Sequence, residues 1–239
     1  MLTKKLIMLL AVLMFAPVAF GAILQANVVD NNATESLSIT EVNAQGGLWV
    51  GDKLFSDFRV TSKGTGIYPK ASEISVTGVE VQGPNGIEYG LRFNGFWQTW
   101  NGNTVDTLIK FKVSISENAP SLLIHDNSLW MSAVVAERTG IVAITENVYA
   151  NDPDVFPNSV SLADKYVYKM STEQLLYDHE EFAPLRTIWV VKDIGLAGGG
   201  RLGHAVLSEF GQSFSQIPEP ATLALLTTGA ALLAARRRR

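Results

Sequence analysis

The sequence predicts an all-β protein: an antiparallel β-sandwich or jelly-roll-like domain set between two non-globular ends. Three observations carry this. Apolar and polar residues alternate with period two in segment after segment, turn residues separate those segments, and a helical period is almost absent. Taken whole, the chain has 239 residues, and removing its two ends leaves enough for one β-rich domain with a core of its own.

In chain order, the first element is an address. Met1 to Lys5 is basic, Leu6 to Phe15 is apolar, and Pro17 precedes the small-residue pattern Ala19-Phe20-Gly21. That three-part order is a secretory signal peptide over 1–21, with Ala19 and Gly21 at the positions a signal peptidase reads and Ala22 as an alternative cleavage site. A retained anchor is the other reading, and the apolar run is short for one.

The domain is bounded as 22–216. Alternation is plain in Leu37-Ser38-Ile39-Thr40, Phe55-Ser56-Asp57-Phe58-Arg59-Val60, Ile74-Ser75-Val76-Thr77 and Ile109-Lys110-Phe111-Lys112-Val113-Ser114-Ile115. Further strands are expected at Tyr89 to Phe93, Ser128 to Ala136, Ile141 to Tyr149, Tyr166 to Met170, Thr187 to Val191 and Ala205 to Phe210. Gly64-Thr65-Gly66, Pro84-Asn85-Gly86 and Asn101-Gly102-Asn103 supply turn chemistry between them. One short helix is expected over Thr172 to Tyr177, where Ser171 can cap and Gln174 follows three residues later. So many short strands with so little helix argue for two sheets packed face to face.

The last element, 217–239, reads Ile217-Pro218-Glu219-Pro220, then an apolar stretch from Ala221 to Ala235, then Arg236-Arg237-Arg238-Arg239. Fifteen helical residues span about 22 Å, short of a hydrocarbon core of about 30 Å, and snorkelling arginine stems cover part of the difference. Positive charge stays in the cytoplasm, so Arg236 to Arg239 form a cytoplasmic clamp and the domain lies outside the inner membrane. Physics alone reads this as a plain C-terminal anchor.

Pro-Glu-Pro, a short apolar segment and a terminal arginine cluster, in a chain with a signal peptide, resemble the PEP-CTERM sorting signal of Gram-negative bacteria. The resemblance implies recognition of Pro218, Glu219 and Pro220 by an exosortase, a membrane cysteine transpeptidase. It also implies a tail that is only a transient inner-membrane anchor, and release of the domain to the cell surface or extracellular matrix. The arrangement of GDKLFSDFRV, EYGLRFNGFWQTW and a later KDI segment is similar to a recurrent exported β-domain found with such tails, a group that implies no particular activity.

Without its two ends the domain carries a net charge of about −9. An acidic domain lacks the clustered Lys and Arg that phosphate backbones require, so no nucleic-acid partner is expected. The absence of cysteine excludes disulfides, thiolate metal sites and a cysteine nucleophile within the chain.

The remaining constellations are weak. His125, His179 and His204 have no metal-ligand spacing. Tyr177-Asp178-His179-Glu180-Glu181 reads first as a solvated acidic loop, and second as the seat of a carboxylate hydrolase using Glu180 or Glu181. His125-Asp126 lacks the elbow of a serine hydrolase. Gly198-x-Gly200-x-x-Gly203 satisfies the letter of a dinucleotide fingerprint, but no βαβ unit follows, so it reads as a turn. Asn151-Asp152-Pro153-Asp154 reads as an Asx turn before a calcium loop. Phe96, Trp97 and Trp100 beside Asn101 and Asn103 suggest glycan contact, although Trp97 and Trp100 fall on opposite faces of a strand, which makes at least one of them core. No cofactor, metal or catalytic residue is assigned. The expected role is a non-catalytic structural or adhesive surface protein, with extracellular polysaccharide as a potential partner; a glycosidase-like hydrolase and a glycan-binding module are the alternatives.

Overall fold

The computed structural model describes residues 36–83 and 86–219. The signal segment with Ala19 and Gly21, Pro220, the apolar run 221–235 and Arg236 to Arg239 lie outside the described residues. Among the described residues no helix is long and apolar enough to cross a membrane.

The elements are β1 (Ser36–Ser38), α1 (Ile39–Ala44), β2 (Leu48–Val50), β3 (Lys53–Gly64), a 3₁₀ turn (Ala71–Glu73), β4 (Ser75–Gly83), β5 (Gly86–Trp100), β6 (Thr104–Ile115), β7 (Leu122–Glu137), β8 (Ile141–Tyr149), β9 (Ala163–Met170), β10 (Gln174–Leu175), β11 (Tyr177–Leu185), β12 (Thr187–Ala197) and β13 (His204–Pro218). They form two antiparallel sheets. One has six strands in the order β1-β4-β5-β13-β7-β11 and the other seven in the order β10-β9-β8-β12-β6-β3-β2. The expected sandwich of two antiparallel sheets is therefore what the chain forms.

The two inner faces meet through aromatic rings. Across the interface Phe55 of β3 lies 5.9 Å from Phe214 of β13 and Phe93 of β5 lies 5.9 Å from Phe111 of β6, while within each sheet Phe93 stacks on Phe210 at 4.9 Å and Phe58 on Phe111 at 5.0 Å. Strict alternation would turn Phe55 and Phe58 to opposite faces. A bulge between Ser56 and Arg59, with Asp57 at φ 56°, inserts the extra residue that brings both rings inside.

Two local expectations fail for identifiable reasons. Ile39-Thr40 start α1 instead of prolonging β1, because Ser38 and Glu41 form a reciprocal capping box: the Glu41 N–H reaches Ser38 Oγ at 3.2 Å and the Ser38 N–H reaches Glu41 Oε2 at 2.8 Å. Over 172–177 no helix forms. Gln174 and Leu175 pair with Lys169 and Tyr168 at the edge of β9, and Tyr177 opens β11 on β7; strand pairing outweighs a marginal local cap.

Candidate functional site

The junction between domain and tail is part of the fold. β13 is paired on both sides, with β5 and β7, from His204 to Phe214; beyond that it pairs with β7 alone, ending at Ile217 opposite Leu123 and Pro218 opposite Leu122. The boundary drawn from sequence at 216/217 thus falls inside a strand. Proline tolerates this place because a strand end paired on one side needs no second donor. One residue further, the Glu219 N–H donates to Ser121 O at 2.7 Å, and the Glu219 carboxylate faces Arg186 at 3.5 Å. Arg186 also donates to Pro120 O.

Beside this exit lies a groove of about 640 Å³ lined by Trp49, Asp52, Tyr89, Asn118, Leu122 and Gln216, among others. The β2–β3 turn can lie flat on the Tyr89 ring because residue 51 is glycine: it has φ 57°, and a Cβ there would sit 2.4 Å from the ring. Lys53, wholly buried, ties two of the lining residues together: its Nζ donates to Asp52 Oδ1 at 2.8 Å and Gln216 Oε1 at 2.5 Å. Burial pushes the Lys53 ammonium below its ordinary pKa, against the pull of Asp52. The second carboxylate oxygen, Asp52 Oδ2, is buried without a partner. Burial also raises the Tyr89 phenol, as do the nearby carboxylates of Glu80 and Asp52. Two partly exposed rings beside the amide of Asn118 suit a polyhydroxyl ligand, stacked on one face and hydrogen-bonded at its edge. None of these groove residues stands out as a binding site in the sequence, where Trp49 and Tyr89 are forty residues apart.

The sequence-predicted aromatic pair does not form a platform. Trp97 is wholly buried and its Nε1 donates to Thr107 Oγ1 at 3.1 Å, whereas Trp100 is 37% exposed on the other face of β5. Trp97 is a core residue and no glycan contact.

Two carboxylates of the β11 run are engaged across the sandwich. Asp178 Oδ2 accepts the Tyr166 N–H at 2.9 Å and Glu180 Oε2 accepts the Asp164 N–H at 2.6 Å, both from β9 of the opposite sheet. Glu181 is exposed, 3.7 Å from His125. The histidines are dispersed: His125 Nδ1 contacts Phe182 O, His179 Nδ1 lies 3.3 Å from Ser128 Oγ, and His204 packs against Gln98. Among the described residues no three His, Asp or Glu side chains group to hold a metal.

Asp152 and Asp154 are occupied by cations. Arg59 pairs with both, at 2.8 and 2.7 Å, and Lys110 pairs with Asp154; hydrogen bonds from Lys110 and Arg59 hold the Asp154 carboxyl below its usual range. The Asp154 N–H closes an Asx turn on Asp152 Oδ1 at 3.0 Å. Gly198 to Gly203 form the connection between β12 and β13, with Gly199 at φ 65°.

The interior holds one ionic cluster that sequence reasoning missed. Glu146 of β8 receives Lys192 of β12, lies 3.3 Å from Lys165 of β9, and accepts from Asn127 of β7 at 2.5 Å, while Lys165 donates to Asn127 Oδ1 at 2.5 Å. The three charged side chains are fully buried. Burial alone would raise Glu146, but Lys192 and Lys165 outweigh it and hold the carboxyl below its ordinary value; burial pushes Lys192 down to about 8 despite the attraction of Glu146.

Comparison with known families places a match to the PEP-CTERM protein-sorting motif over residues 216–239. No curated protein matches the chain. Among solved structures it is similar to the enzymatically active domain of bacteriophage CBA120 tailspike protein 4 (9% identity over 68% of this chain and 20% of that one, TM-score 0.30). It is also similar to a family two carbohydrate esterase from Cellvibrio japonicus (10% identity, 67% and 36%, TM-score 0.22) and to a CBM4 structure (9% identity, 81% and 100%, TM-score 0.27). The chain thus spans 20% of the tailspike chain and 36% of the esterase, and at these scores none of the three bears on its chemistry.

Proposed function

We propose, from the PEP-CTERM sorting motif that residues 216–239 carry, that this is a non-catalytic structural or adhesive protein of the cell surface or extracellular matrix. The motif itself supports an exported, envelope-associated substrate of an exosortase. On the finer reading a signal peptidase removes 1–21, residues 221–235 and Arg236 to Arg239 hold the chain transiently in the inner membrane, and the exosortase acts at Pro218-Glu219-Pro220. The observation that carries the proposal is the placement of that motif directly on the end of a β-sandwich. The use of its carboxylates supports a non-catalytic role: Glu146, Asp152, Asp154, Asp178 and Glu180 are all engaged in holding the fold. Intact mass and cell fractionation in the native host, with and without the exosortase, test it. The expected result is a mature chain ending near Pro218 to Pro220 in the medium or matrix, lost without the enzyme. A full-length C-terminus held in the inner membrane regardless of the enzyme makes the tail a plain anchor.

A second reading, extracellular polysaccharide as ligand, moves from Trp97 and Trp100 to the Trp49–Tyr89 groove, favoured by the two half-buried rings that line it beside Asn118. Retardation of the protein in gels containing the host's exopolysaccharide, abolished by Trp49→Ala and unaffected by Trp100→Ala, supports it; equal mobility with and without polysaccharide ends it.

A further inference from the structure

The sorting motif is not presented on a free linker. Ser215 donates its N–H to Asp126 Oδ1 at 3.3 Å and Gln216 accepts from the buried Lys53, so β13 is locked up to that point. Ile217 and Pro218 then continue the ladder on β7, and Glu219 spends its backbone N–H on Ser121 O and its carboxylate on Arg186. The receiving surface is itself fixed. The Ser116 N–H donates to Asp52 O at 2.8 Å, the Leu122 N–H to Ala119 O at 3.2 Å, and Arg186 O accepts from Ile115 N–H at 2.9 Å. Arg186 reaches from the β11–β12 junction to both Pro120 O and Glu219.

A processing enzyme that reads an extended segment needs that segment's backbone donors and side chains free. Here the central residue of the motif has both committed to its own domain. Releasing Ile217 to Glu219 yields about 10 Å of extended chain and leaves the buried contacts of Ser215 and Gln216 intact.

We propose that the folded domain holds its own sorting motif closed, with Arg186 as the positioning residue that keeps Glu219 docked on Ser121, and that the exosortase engages the motif only after Ile217 to Glu219 peel away from Leu123, Leu122 and Ser121. This rests on the exosortase reading above. Peeling, not recognition, then limits the rate of processing.

Two measurements on the full-length protein decide it. In detergent-solubilised protein, the Glu219 amide is expected to exchange with deuterium far more slowly than a free-chain amide, and Arg186→Ala to lose much of that protection. In pulse-chase in the host, Arg186→Ala is expected to speed tail removal about two- to five-fold, the range available from a half-exposed ion pair. A Gly-Ser insertion between Ile217 and Pro218, which lifts the motif off the sheet without touching Arg186, is expected to speed it at least as much. Free-chain exchange at Glu219 in the wild type, or wild-type processing rates in both variants, overturns the proposal. A host in which no chain is cut with the enzyme present refutes the exosortase reading instead, and the exchange measurement still decides whether the motif is closed.

Discussion

Asp178 on β11 reaches across to the opposite sheet and accepts the backbone N–H of Tyr166 on β9 at 2.9 Å, and two residues on Glu180 does the same for Asp164 at 2.6 Å. β9 is flanked on that side only by the two-residue β10, so these carboxylates occupy donors that would otherwise template another chain. Asp178→Ala combined with Glu180→Ala is expected to lower stability by about 1–3 kcal/mol and to raise self-association, read by urea denaturation and light scattering. Unchanged scattering at high concentration would count against an edge-guarding role.

Glu146 joins three strands of one sheet to Asn127 of the other. Glu146→Gln leaves Lys165 and Lys192 buried without their counter-charge and is expected to cost about 3–5 kcal/mol. Replacing Glu146, Lys165 and Lys192 together by apolar residues should recover most of that loss in the same denaturation assay.

The pH response of that cluster has a definite sign. Lys192 titrates near 8 in the folded chain against an ordinary 10.5, so between those values the unfolded chain binds more protons and Lys192 makes stability rise with pH. Glu146 is depressed below its ordinary 4.5; its contribution is present above that value and is lost as pH falls through its folded pKa. Urea midpoints across pH should therefore rise from about 8 to 10.5 in the wild type, and Lys192→Met should flatten that rise.

Trp97 and Trp49 separate stability from binding. Trp97→Ala opens a cavity beside Phe210, 5.8 Å away, and is expected to cost about 3–5 kcal/mol with polysaccharide retardation intact at temperatures where the variant is folded. Trp49→Ala is expected to do the reverse, abolishing retardation at a smaller cost in stability. Loss of retardation in the folded Trp97 variant would place the ligand elsewhere.

Alternation was enough to locate most strands, because a strand buried on one face must repeat every two residues, and Ile141–Tyr149 ends where the pattern ends. What alternation cannot convey is a change of phase: the bulge at Asp57 is legible only once Phe55 and Phe58 are both seen inside. The Ser38–Glu41 capping box was present in the letters but lay under an alternating stretch that read as strand. The opposed faces of Trp97 and Trp100 followed from parity alone. The groove and the Glu146 cluster were not legible, since each gathers residues from distant strands and depends on sheet order, which local patterns do not encode.

β13 is an inner strand of its sheet, gripped on both flanks by antiparallel neighbours from His204 to Phe214, and the tail leaves from its end. Tension on the tail therefore falls first on Ser215 to Glu219, held on one flank by β7 and Ser121, and reaches the doubly paired stretch only when those residues have let go. A domain tethered this way resists being dragged open by its own attachment point, and its first mechanical failure is confined to the last few residues before Glu219.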